Sequence, residues 1–317
     1  MREAVLTVAN RHPDAESDTL RNTIAALHHV TADQVVLGCG SSEILRMAVD
    51  AFVGPRKKLI VAQPTFELIG TCARQAGAEV IAVPLTRNYS HDLDVMLARS
   101  DAATGLVYIC NPNNPTGSLT RRTDVEAFLR KLPATTCLLI DEAYHHYAGN
   151  SSDYASFIDH PVDDGRVIVA RSFSKIYGLA GLRIGYAVAA VKMARRLASC
   201  ALPEDVNVVG AQAASTALDD TEHVRLSVKR NDDDRQELFN QANARMLRTI
   251  DSRTNFMMLN TGRPAVEIVE HFKKHNVLIS GPFAPFDTHI RVSLGTPAEM
   301  REFWRIWDLM PAHKMSM

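Results

Sequence analysis

The chain has 317 residues, of which 46% are hydrophobic and 22% charged, and its formal net charge is −1. This balance gives no electrostatic basis for binding nucleic acid or an anionic membrane, and no apolar run reaches the roughly 18 residues of a membrane span. The five cysteines are scattered without a CxxC pair, which favours buried free thiols and a reducing, cytoplasmic environment. The first residues, MREAVLTVANRHPD, lack the apolar core of a signal peptide.

Short apolar runs alternate with amphipathic stretches over the first two thirds of the chain. The predicted strands are QVVLGCG, KKLIVAQP, EVIAVPL, GLVYICNP, TCLLIDEAY, RVIVARSFS and LRIGYAVA. The predicted helices among them are SSEILRMAVDAFV, FELIGTCARQAG, LDVMLARS and RTDVEAFLRKL. The strand runs are apolar almost throughout, which is typical of strands covered on both faces. The alternation predicts an α/β fold with a parallel, doubly wound sheet.

The pattern changes after about residue 205. The long polar stretch EHVRLSVKRNDDDRQELFNQANARM predicts a helix, and its acidic run, Asp232 to Asp234, is interpreted as a solvated helix face rather than a metal site. Two short strands, NVLIS and HIRVSLG, and a helix, PAEMREFWRIW, are predicted to follow. We therefore expect a large domain over residues 6–215 and a smaller α+β domain over 216–317, with residues 1–5 at the junction.

Polar side chains follow four of the predicted strands at the point where each strand ends. Because ligands bind at the carboxyl ends of strands in open parallel sheets, these groups are expected to converge on one site. The groups are Ser41, Ser42 and Glu43; Asn111, Asn113 and Asn114; Asp141 and Tyr144; and Ser172, Ser174 and Lys175.

Each of these groups also has a structural interpretation when taken alone. GSSE is typical of a helix N-terminus, NPNNPTG of a loop, and Asp141 of a capping residue at a strand end. His145 and His146 have no metal-ligand spacing to a third ligand and are interpreted as structural or as facing the rim. SFSK also fits S-x-x-K, the pattern of serine nucleophiles in penicillin-recognising enzymes, but its SDN-like and KTG-like companions are missing.

Seven segments together resemble one known family in their order and spacing: GSSEIL, PTFELI, NPNNPTG, DEAY, SFSK, GLRIGY and IRVSLGTPAEM. Over nearly its whole length the chain resembles the fold-type I pyridoxal-phosphate enzymes of class I/II, the aminotransferases. The nearest likeness is to the histidinol-phosphate aminotransferase-like branch. The resemblance implies a homodimer that uses pyridoxal phosphate to transfer an amino group between an amino acid and a 2-oxo acid, with no metal.

The resemblance also implies a role for each residue that handles the cofactor ring. Lys175 would form the Schiff base with the cofactor aldehyde and later move the substrate proton. Asp141 would pair with the ring nitrogen, Asn114 and Tyr144 would hydrogen-bond the ring hydroxyl, and Phe66 would stack on the ring face.

The implied contacts to the two anionic groups come from other residues. Ser172, Ser174, Arg183 and the start of the helix at Ser41, Ser42 and Glu43 would bind the cofactor phosphate. Arg291 would bind the substrate carboxylate in a two-pronged contact, with Asn114 beside it.

The sequence departs from the family pattern at three places. It begins where the family's N-terminal arm would already have ended. His12 replaces a tyrosine that reaches the partner subunit's phosphate, and Ser280 replaces an arginine that histidinol-phosphate enzymes use for the substrate phosphate. We therefore expect an amino acid with a free α-carboxylate to be preferred over histidinol phosphate.

Two other functions stay open at this point. A decarboxylase or C–S lyase would use the same fold, because the sequence does not report which bond at the α carbon is broken. The non-catalytic pyridoxal-phosphate-binding domain of a transcription regulator is the third possibility, although such regulators have a basic DNA-binding module that this chain lacks.

Overall fold

The computed structural model describes residues 9–311 of the chain. Its strands are β1 (Val35–Cys39), β2 (Lys58–Gln63), β3 (Val80–Pro84), β4 (Thr104–Cys110), β5 (Cys137–Asp141), β6 (Val167–Ser172), β7 (Ile184–Ala189), β8 (Arg248–Thr249), β9 (Phe256–Asn260) and β10 (His289–Ser293). Its helices are α1 (Asp14–Leu27), α2 (Ser41–Phe52), α3 (Leu68–Gln75), α4 (Leu93–Ala98), α5 (Arg122–Lys131), α6 (Val191–Ala198), α7 (Val208–Asp219), α8 (Thr221–Ala244), α9 (Ala265–Lys274) and α10 (Pro297–Asp308).

The first seven strands form one sheet in the order β1-β7-β6-β5-β4-β2-β3. The pairs from β3 to β6 are parallel, whereas β7 is antiparallel to both of its neighbours, β6 and β1. The mainly parallel, doubly wound sheet is confirmed, with β7 as the one reversed strand. The reversal follows from the short connection between β6 and β7, because a parallel pair needs a longer crossover.

Helices cover both faces of this sheet, which explains why its strands are apolar on both faces. Along β4, Val107 and Ile109 join the core on the side of α1, α4, α5 and α7. Leu106, Tyr108 and Cys110 alternate with them and join the core on the side of α2, α3 and α6. The period of two residues thus places Tyr108 and Cys110 on the α2 face.

The last part of the chain forms a second, antiparallel sheet in the order β10-β9-β8. The predicted strand HIRVSLG is confirmed as β10, but the predicted strand NVLIS is wrong. Only Ser280 of that run pairs, in a single bridge with Arg291, and Leu278 is 84% exposed. Asn276 has a left-handed backbone, and the chain turns away again after Ser280, so the run cannot extend along β10. β9 was not predicted from the sequence.

The acidic run lies on α8, where each aspartate pairs with a basic residue of the same helix. The pairs are Lys229 with Asp233, Arg230 with Asp234 and Arg235 with Asp232. The aspartates are thus engaged in ion pairs within the helix, with Asp233 exposed and Asp232 and Asp234 partly buried. The boundary at residues 215 and 216 stays a prediction, and the junction residues 1–5 lie outside the described part of the chain.

None of the helices within residues 9–311 is both long enough and apolar enough to cross a membrane.

Candidate active site

The reversed strand β7 brings two distant polar segments to the same edge of the large sheet. Ser172 ends β6, Lys175 follows it, and Arg183 comes directly before β7. Because β6 and β7 are antiparallel, the end of one lies beside the start of the other. Arg183 donates from Nη1 to the hydroxyl of Ser174 at 3.3 Å, and the amide of Ser174 donates to Ser172 Oγ at 3.1 Å. The structure thus brings Ser172, Ser174 and Arg183 together, as predicted.

The N-terminus of α2 lies against the same group of residues. Its N-cap is Gly40, which has positive φ and no side chain with which to cap the helix. A Cβ atom on Gly40 would lie 2.2 Å from Nη2 of Arg183, so the guanidinium is close to the start of the helix. A Cβ on Gly185 would lie 2.2 Å from the amide nitrogen of Ser41. Close backbone packing therefore places a cation beside the positive end of a helix, which is an anion-binding arrangement.

Glu43 occupies a different environment from the one expected of a phosphate ligand. Its Oε2 accepts from the amide of Cys39 at 2.7 Å, and its Oε1 accepts from Arg46 at 2.9 Å. Its own amide donates to the carbonyl of Gly40 at 3.1 Å. Glu43 also interacts with the side chain of Asp205. Burial, together with this interaction, raises the pKa of Asp205 to about 7. These contacts engage both carboxylate oxygens within the protein and give no support to the predicted contact of Glu43 with a cofactor.

The three asparagines of NPNNPTG have different hydrogen-bond partners. Asn111 exchanges hydrogen bonds with the backbone of Thr120, at 2.9 and 3.0 Å. Asn113 accepts from Thr65 at 2.8 Å and donates to Thr116 at 2.8 Å. These bonds fix the loop. Only the third, Asn114, reaches across to the small sheet.

Asp141 is the buried anion of the site. It lies at the end of β5 and is 3% exposed. Its Oδ2 accepts from the hydroxyl of Tyr108 at 2.9 Å, and its Oδ1 accepts from the amide of Ala143 at 3.0 Å. Burial raises the pKa of Asp141, while these hydrogen bonds and the charge of Lys175 oppose that rise.

Lys175 lies near Asp141 in a partly buried position. Its Nζ is 4.9 Å from the centroid of the Tyr144 ring. Burial lowers the pKa of Lys175, although the charge of Asp141 opposes this effect. Burial also raises the pKa of Tyr144, so the phenol is protonated near neutrality. A lysine whose pKa is lowered has a larger fraction of free amine, the form that attacks a carbonyl group.

Arg291 connects the small sheet to the polar edge of the large sheet. From β10 it donates through Nη1 to Asn114 Oδ1 at 2.6 Å and through Nη2 to Ser280 Oγ at 3.3 Å. Its Cζ is 4.9 Å from the ring centroid of Phe256 and 5.4 Å from that of Phe283. Its Nε is buried without a partner among the described residues. The guanidinium is thus held between aromatic rings with neutral oxygens on its donors, an arrangement open to a carboxylate.

Four further residues discussed in the sequence analysis, Phe66, His145, His146 and His12, have their own surroundings in the structure. Phe66 is partly buried and packs against the core on the α2 face, the face that includes Tyr108. The rings of His145 and His146 are tilted by 43°, with centroids 3.7 Å apart, and burial lowers the pKa of both, to about 3 for His146. Both are therefore neutral at physiological pH. His12 is exposed and pairs with Glu204 at 2.7 Å.

Within residues 9–311, no group of three or more His, Cys, Asp or Glu side chains is arranged to hold a metal ion.

Three residues that contact the site were not identified from the sequence: Tyr108, Phe256 and Phe283. Tyr108 had a signal, since it is the one hydroxyl-bearing side chain near the end of the apolar run GLVYICNP. Phe256 and Phe283 had none, because an aromatic residue that packs on a distant arginine looks like any core or loop residue.

The groups at this edge match the chemical features of pyridoxal phosphate. The start of α2, two serine hydroxyls and Arg183 suit a phosphate dianion. A buried carboxylate, Asp141, suits a protonated ring nitrogen, and Lys175 supplies a primary amine for an aldehyde. The donor set therefore fits this cofactor.

The comparisons with known proteins agree with this geometry. The profile of the family described as aminotransferase class I and II matches residues 7–306. The histidinol-phosphate aminotransferase of Moorella thermoacetica is 35% identical over 297 residues, which cover 93% of this chain and 76% of that protein.

Solved structures with the same fold include proteins of more than one activity. The histidinol-phosphate aminotransferase of Sinorhizobium meliloti, in complex with pyridoxal-5'-phosphate, is 28% identical. It superposes with a TM-score of 0.89 over 98% of this chain and 86% of its own. The L-threonine-O-3-phosphate decarboxylase of Porphyromonas gingivalis, 24% identical, has a TM-score of 0.80 over 97% of this chain and 96% of its own. At that identity the second likeness shows the fold alone.

Proposed function

The chain belongs to the class I and II aminotransferase family, and we propose that its amino donor is an amino acid with a free α-carboxylate, bound by Arg291. The protein has the fold-type I architecture and catalyses transamination that depends on pyridoxal phosphate. The roles of individual residues and the identity of the donor are the proposed part.

Lys175 is the residue proposed to react with the cofactor and to move the proton. When bound, pyridoxal phosphate supplies an aldehyde that condenses with amines and a ring that accepts an electron pair from the substrate. The Nζ atom of Lys175 would then take the proton from the substrate α carbon and deliver it to the cofactor carbon that carried the aldehyde oxygen. Its burial lowers its pKa, which increases the fraction of the free amine that can act as a base.

Three residues are proposed to orient the cofactor ring and to set its charge. Asp141 holds a proton on the ring nitrogen through its buried carboxylate. Tyr144 and Asn114 donate hydrogen bonds to the ring hydroxyl from the segments that follow the neighbouring strands β5 and β4. Phe66 covers one face of the ring from the end of β2.

The phosphate of the cofactor is proposed to bind where α2 begins. Ser172, Ser174 and Arg183 supply two hydroxyls and a guanidinium, and the first amides of α2, at Ser41 and Ser42, supply N–H donors. Because several groups share this contact, the loss of any one of them leaves the cofactor bound more weakly rather than free.

One observation supports the choice of donor: the side chains that accept hydrogen bonds from Arg291 are neutral. Nη1 of Arg291 donates a hydrogen bond to Asn114, and Nη2 donates one to Ser280. A substrate carboxylate can replace these neutral acceptors and form the two-pronged, charge-assisted contact that an arginine favours. Ser280 then lies beside the bound carboxylate as a further hydroxyl donor.

Histidinol phosphate is the second candidate donor, because the relative from Moorella thermoacetica is named for it. That compound has no α-carboxylate and presents a phosphate dianion. A hydroxyl at residue 280 recognises a phosphate less strongly than a cation would, by about tenfold in affinity. On these grounds we place the amino acid first.

Histidinol phosphate should be compared with aromatic, aliphatic and acidic amino acids at a saturating concentration of a 2-oxo acid. We expect the highest kcat/KM for one of the amino acids. The matched variant Ser280→Arg should shift the preference toward histidinol phosphate. A wild-type preference for histidinol phosphate by about a hundredfold, or nearly 3 kcal/mol, would exclude our choice of donor.

The same assay separates transamination from the other reactions of the fold. Formation of a 2-oxo acid from the donor, in step with amination of the acceptor, is the expected result. Carbon dioxide or a thiol as the main product would instead indicate a decarboxylase or a C–S lyase.

We further propose that the active form is a twofold homodimer in the cytoplasm. The proposal comes from the family resemblance and from the position of His12 next to a motif that crosses between subunits in the family. Light scattering of the active protein tests it, and a stable monomer that turns over would contradict it.

A further inference from the structure

Tyr108 is a polar residue in the middle of a fully buried strand. Every residue of β4 is buried, and Tyr108 is 0% exposed. A buried hydroxyl is costly unless it has a hydrogen-bond partner. An apolar side chain at this position would pack without that cost. The hydrogen-bond partner of the hydroxyl therefore indicates what the tyrosine does at this position.

The partner is Asp141, and the register of the sheet explains why. Cys110 of β4 pairs with Asp141 of β5, so the two residues share one face of the sheet. Tyr108 lies two residues before Cys110 and therefore faces the same way. Its long side chain reaches along the sheet, and its hydroxyl donates to Asp141 Oδ2 at 2.9 Å.

The hydrogen bonds of Asp141 leave part of the carboxylate free. Tyr108 occupies Oδ2 and the amide of Ala143 occupies Oδ1, at 2.9 and 3.0 Å. A carboxylate has about four lone-pair sites, so each oxygen retains one for a further donor. Two bonds from fixed groups also prevent the carboxylate from rotating.

Several titratable groups face Asp141, and they act in opposite directions. They are Tyr108 and Cys110 from β4, Glu142 and Tyr144 from the segment after β5, and Lys175 from the segment after β6. Burial raises the pKa of Asp141, and the charge of Glu142 adds to that rise, whereas the hydroxyl of Tyr108 and the charge of Lys175 oppose it. Tyr108 is the only side chain that donates a hydrogen bond to the carboxylate among the described residues.

We propose that Tyr108 is a positioning residue, whose hydroxyl keeps the carboxylate of Asp141 ionised and turned toward the ring nitrogen of the cofactor. The inference rests on the proposed role of Asp141. A protonated Asp141 cannot hold a proton on the ring nitrogen, so loss of the hydroxyl would weaken catalysis without removing a substrate contact.

The test uses Tyr108→Phe, which retains the ring and its packing but removes the hydroxyl. Tyr186→Phe is the matched control, since Tyr186 is also buried in this sheet, in β7, and its hydroxyl bonds to His28 at 2.9 Å. Thermal unfolding of both variants checks that they fold. A double variant with Asp141→Asn completes the set.

The first readout requires no cofactor. The infrared band of the protonated Asp141 carboxyl group, assigned by its loss in Asp141→Asn, is followed against pH in the protein without pyridoxal phosphate. Loss of a hydrogen bond to a charged group should raise the midpoint by about one pH unit or more in Tyr108→Phe. Tyr186→Phe should match the wild type.

The second readout is kinetic. In the loaded enzyme, Tyr108→Phe should lower kcat by about tenfold, leave KM nearly unchanged, and move the acid limb of the pH profile upward. In the Asp141→Asn background the same change should have no further effect.

The outcomes separate this inference from the proposed function. An unchanged infrared midpoint in Tyr108→Phe, or an equal shift in Tyr186→Phe, would overturn the role of Tyr108, whatever Asp141 does. Normal turnover in Asp141→Asn would instead overturn the proposed role of Asp141 in catalysis, and the infrared midpoint would still report on the pair of Tyr108 and Asp141.

Discussion

The two sides of the site are built in different ways. On the large sheet, the groups proposed for the cofactor lie at or just after the ends of strands, except Arg183, which comes directly before β7. On the small sheet, Arg291 is positioned by Asn114, Ser280, Phe256 and Phe283, which come from separate segments. In our proposal, phosphate binding is therefore shared by several groups, whereas donor binding depends on one guanidinium and its packing. We expect single substitutions to affect the two sides differently.

The largest expected effect is that of Lys175→Ala. Turnover should fall by about a thousandfold or more, because Lys175 is the only lysine at the proposed cofactor site within residues 9–311. Affinity for pyridoxal phosphate should fall less, since Ser172, Ser174, Arg183 and the start of α2 remain. Turnover and titration with the cofactor, followed by visible absorbance, measure the two effects.

An exposed lysine on α6, Lys192, provides the control for this experiment. Lys192→Ala should leave both quantities at their wild-type values. Retention of turnover in Lys175→Ala would contradict the whole assignment of the large-sheet side.

The second largest effect is expected for Asp141→Asn. An amide cannot stabilise a protonated ring nitrogen, so kcat should fall by about a hundredfold while KM changes little. Separate determination of kcat and KM tests this. A change in KM alone would show that Asp141 does not act on the ring.

Although Asp141→Asn should lower kcat, it should increase the stability of the protein without cofactor, by an amount that depends on pH. Burial raises the pKa of Asp141 above its unfolded value of about 3.9. Ionisation of the folded state is therefore unfavourable, so wild-type stability is lost as the pH rises from the unfolded pKa through the folded one. The amide introduced by Asp141→Asn does not titrate, and the variant should gain stability relative to the wild type over that range. Urea unfolding at a series of pH values measures the difference, and a difference independent of pH would contradict the argument.

The large-sheet side was largely accessible from the sequence because its signals are local. An apolar run such as TCLLIDEAY specifies a buried strand, and the polar residue at its end, Asp141, marks the edge of the sheet that we propose binds the cofactor. The direction of β7 was not predicted, although the short connection after β6 favours an antiparallel pair. That reversal is what brings Arg183 to the same edge as Lys175.

The small-sheet side was less accessible because its structure depends on tertiary contacts. The run NVLIS has the composition of a strand, but only Ser280 has a pairing partner. The role of Phe256 depends on Arg291, which is distant in sequence, and nothing in the segment NFMMLN indicates that contact. Composition reports burial, whereas the identity of the group packed on a ring is determined by the fold.

Arg291→Lys tests whether donor binding depends on the shape of the guanidinium as well as on its charge. Lysine retains the cation but loses the two-pronged contact. We expect kcat/KM for the donor to fall by about 10- to 100-fold, mostly through KM, because Asn114 and Ser280 remain to bind the carboxylate. Affinity for the cofactor should be unchanged. A loss of cofactor affinity as large as the loss of donor affinity would remove the distinction between the two sides.

A smaller effect is expected for Phe256→Leu, which tests the packing that positions Arg291. The Phe256 ring is 3% exposed, contacts the guanidinium at 4.9 Å and meets the Tyr144 ring edge-on at 5.3 Å. Leucine retains most of the apolar volume but removes the π face, whose attraction for a cation is about 0.5–2 kcal/mol. Donor KM should therefore rise by about 2- to 30-fold, with a smaller change in kcat.

The matched control is Phe283→Leu, because Phe283 contacts the same guanidinium but more distantly, at 5.4 Å, and is only partly buried. Its effect on KM should be in the same direction and smaller. Because Phe256 also contacts Tyr144, only Phe256→Leu should alter kcat as well. Equal effects of the two variants on kcat and KM would indicate that Phe256 acts on Arg291 alone. The expectation that Phe256 also affects catalysis through its contact with Tyr144 would then be wrong.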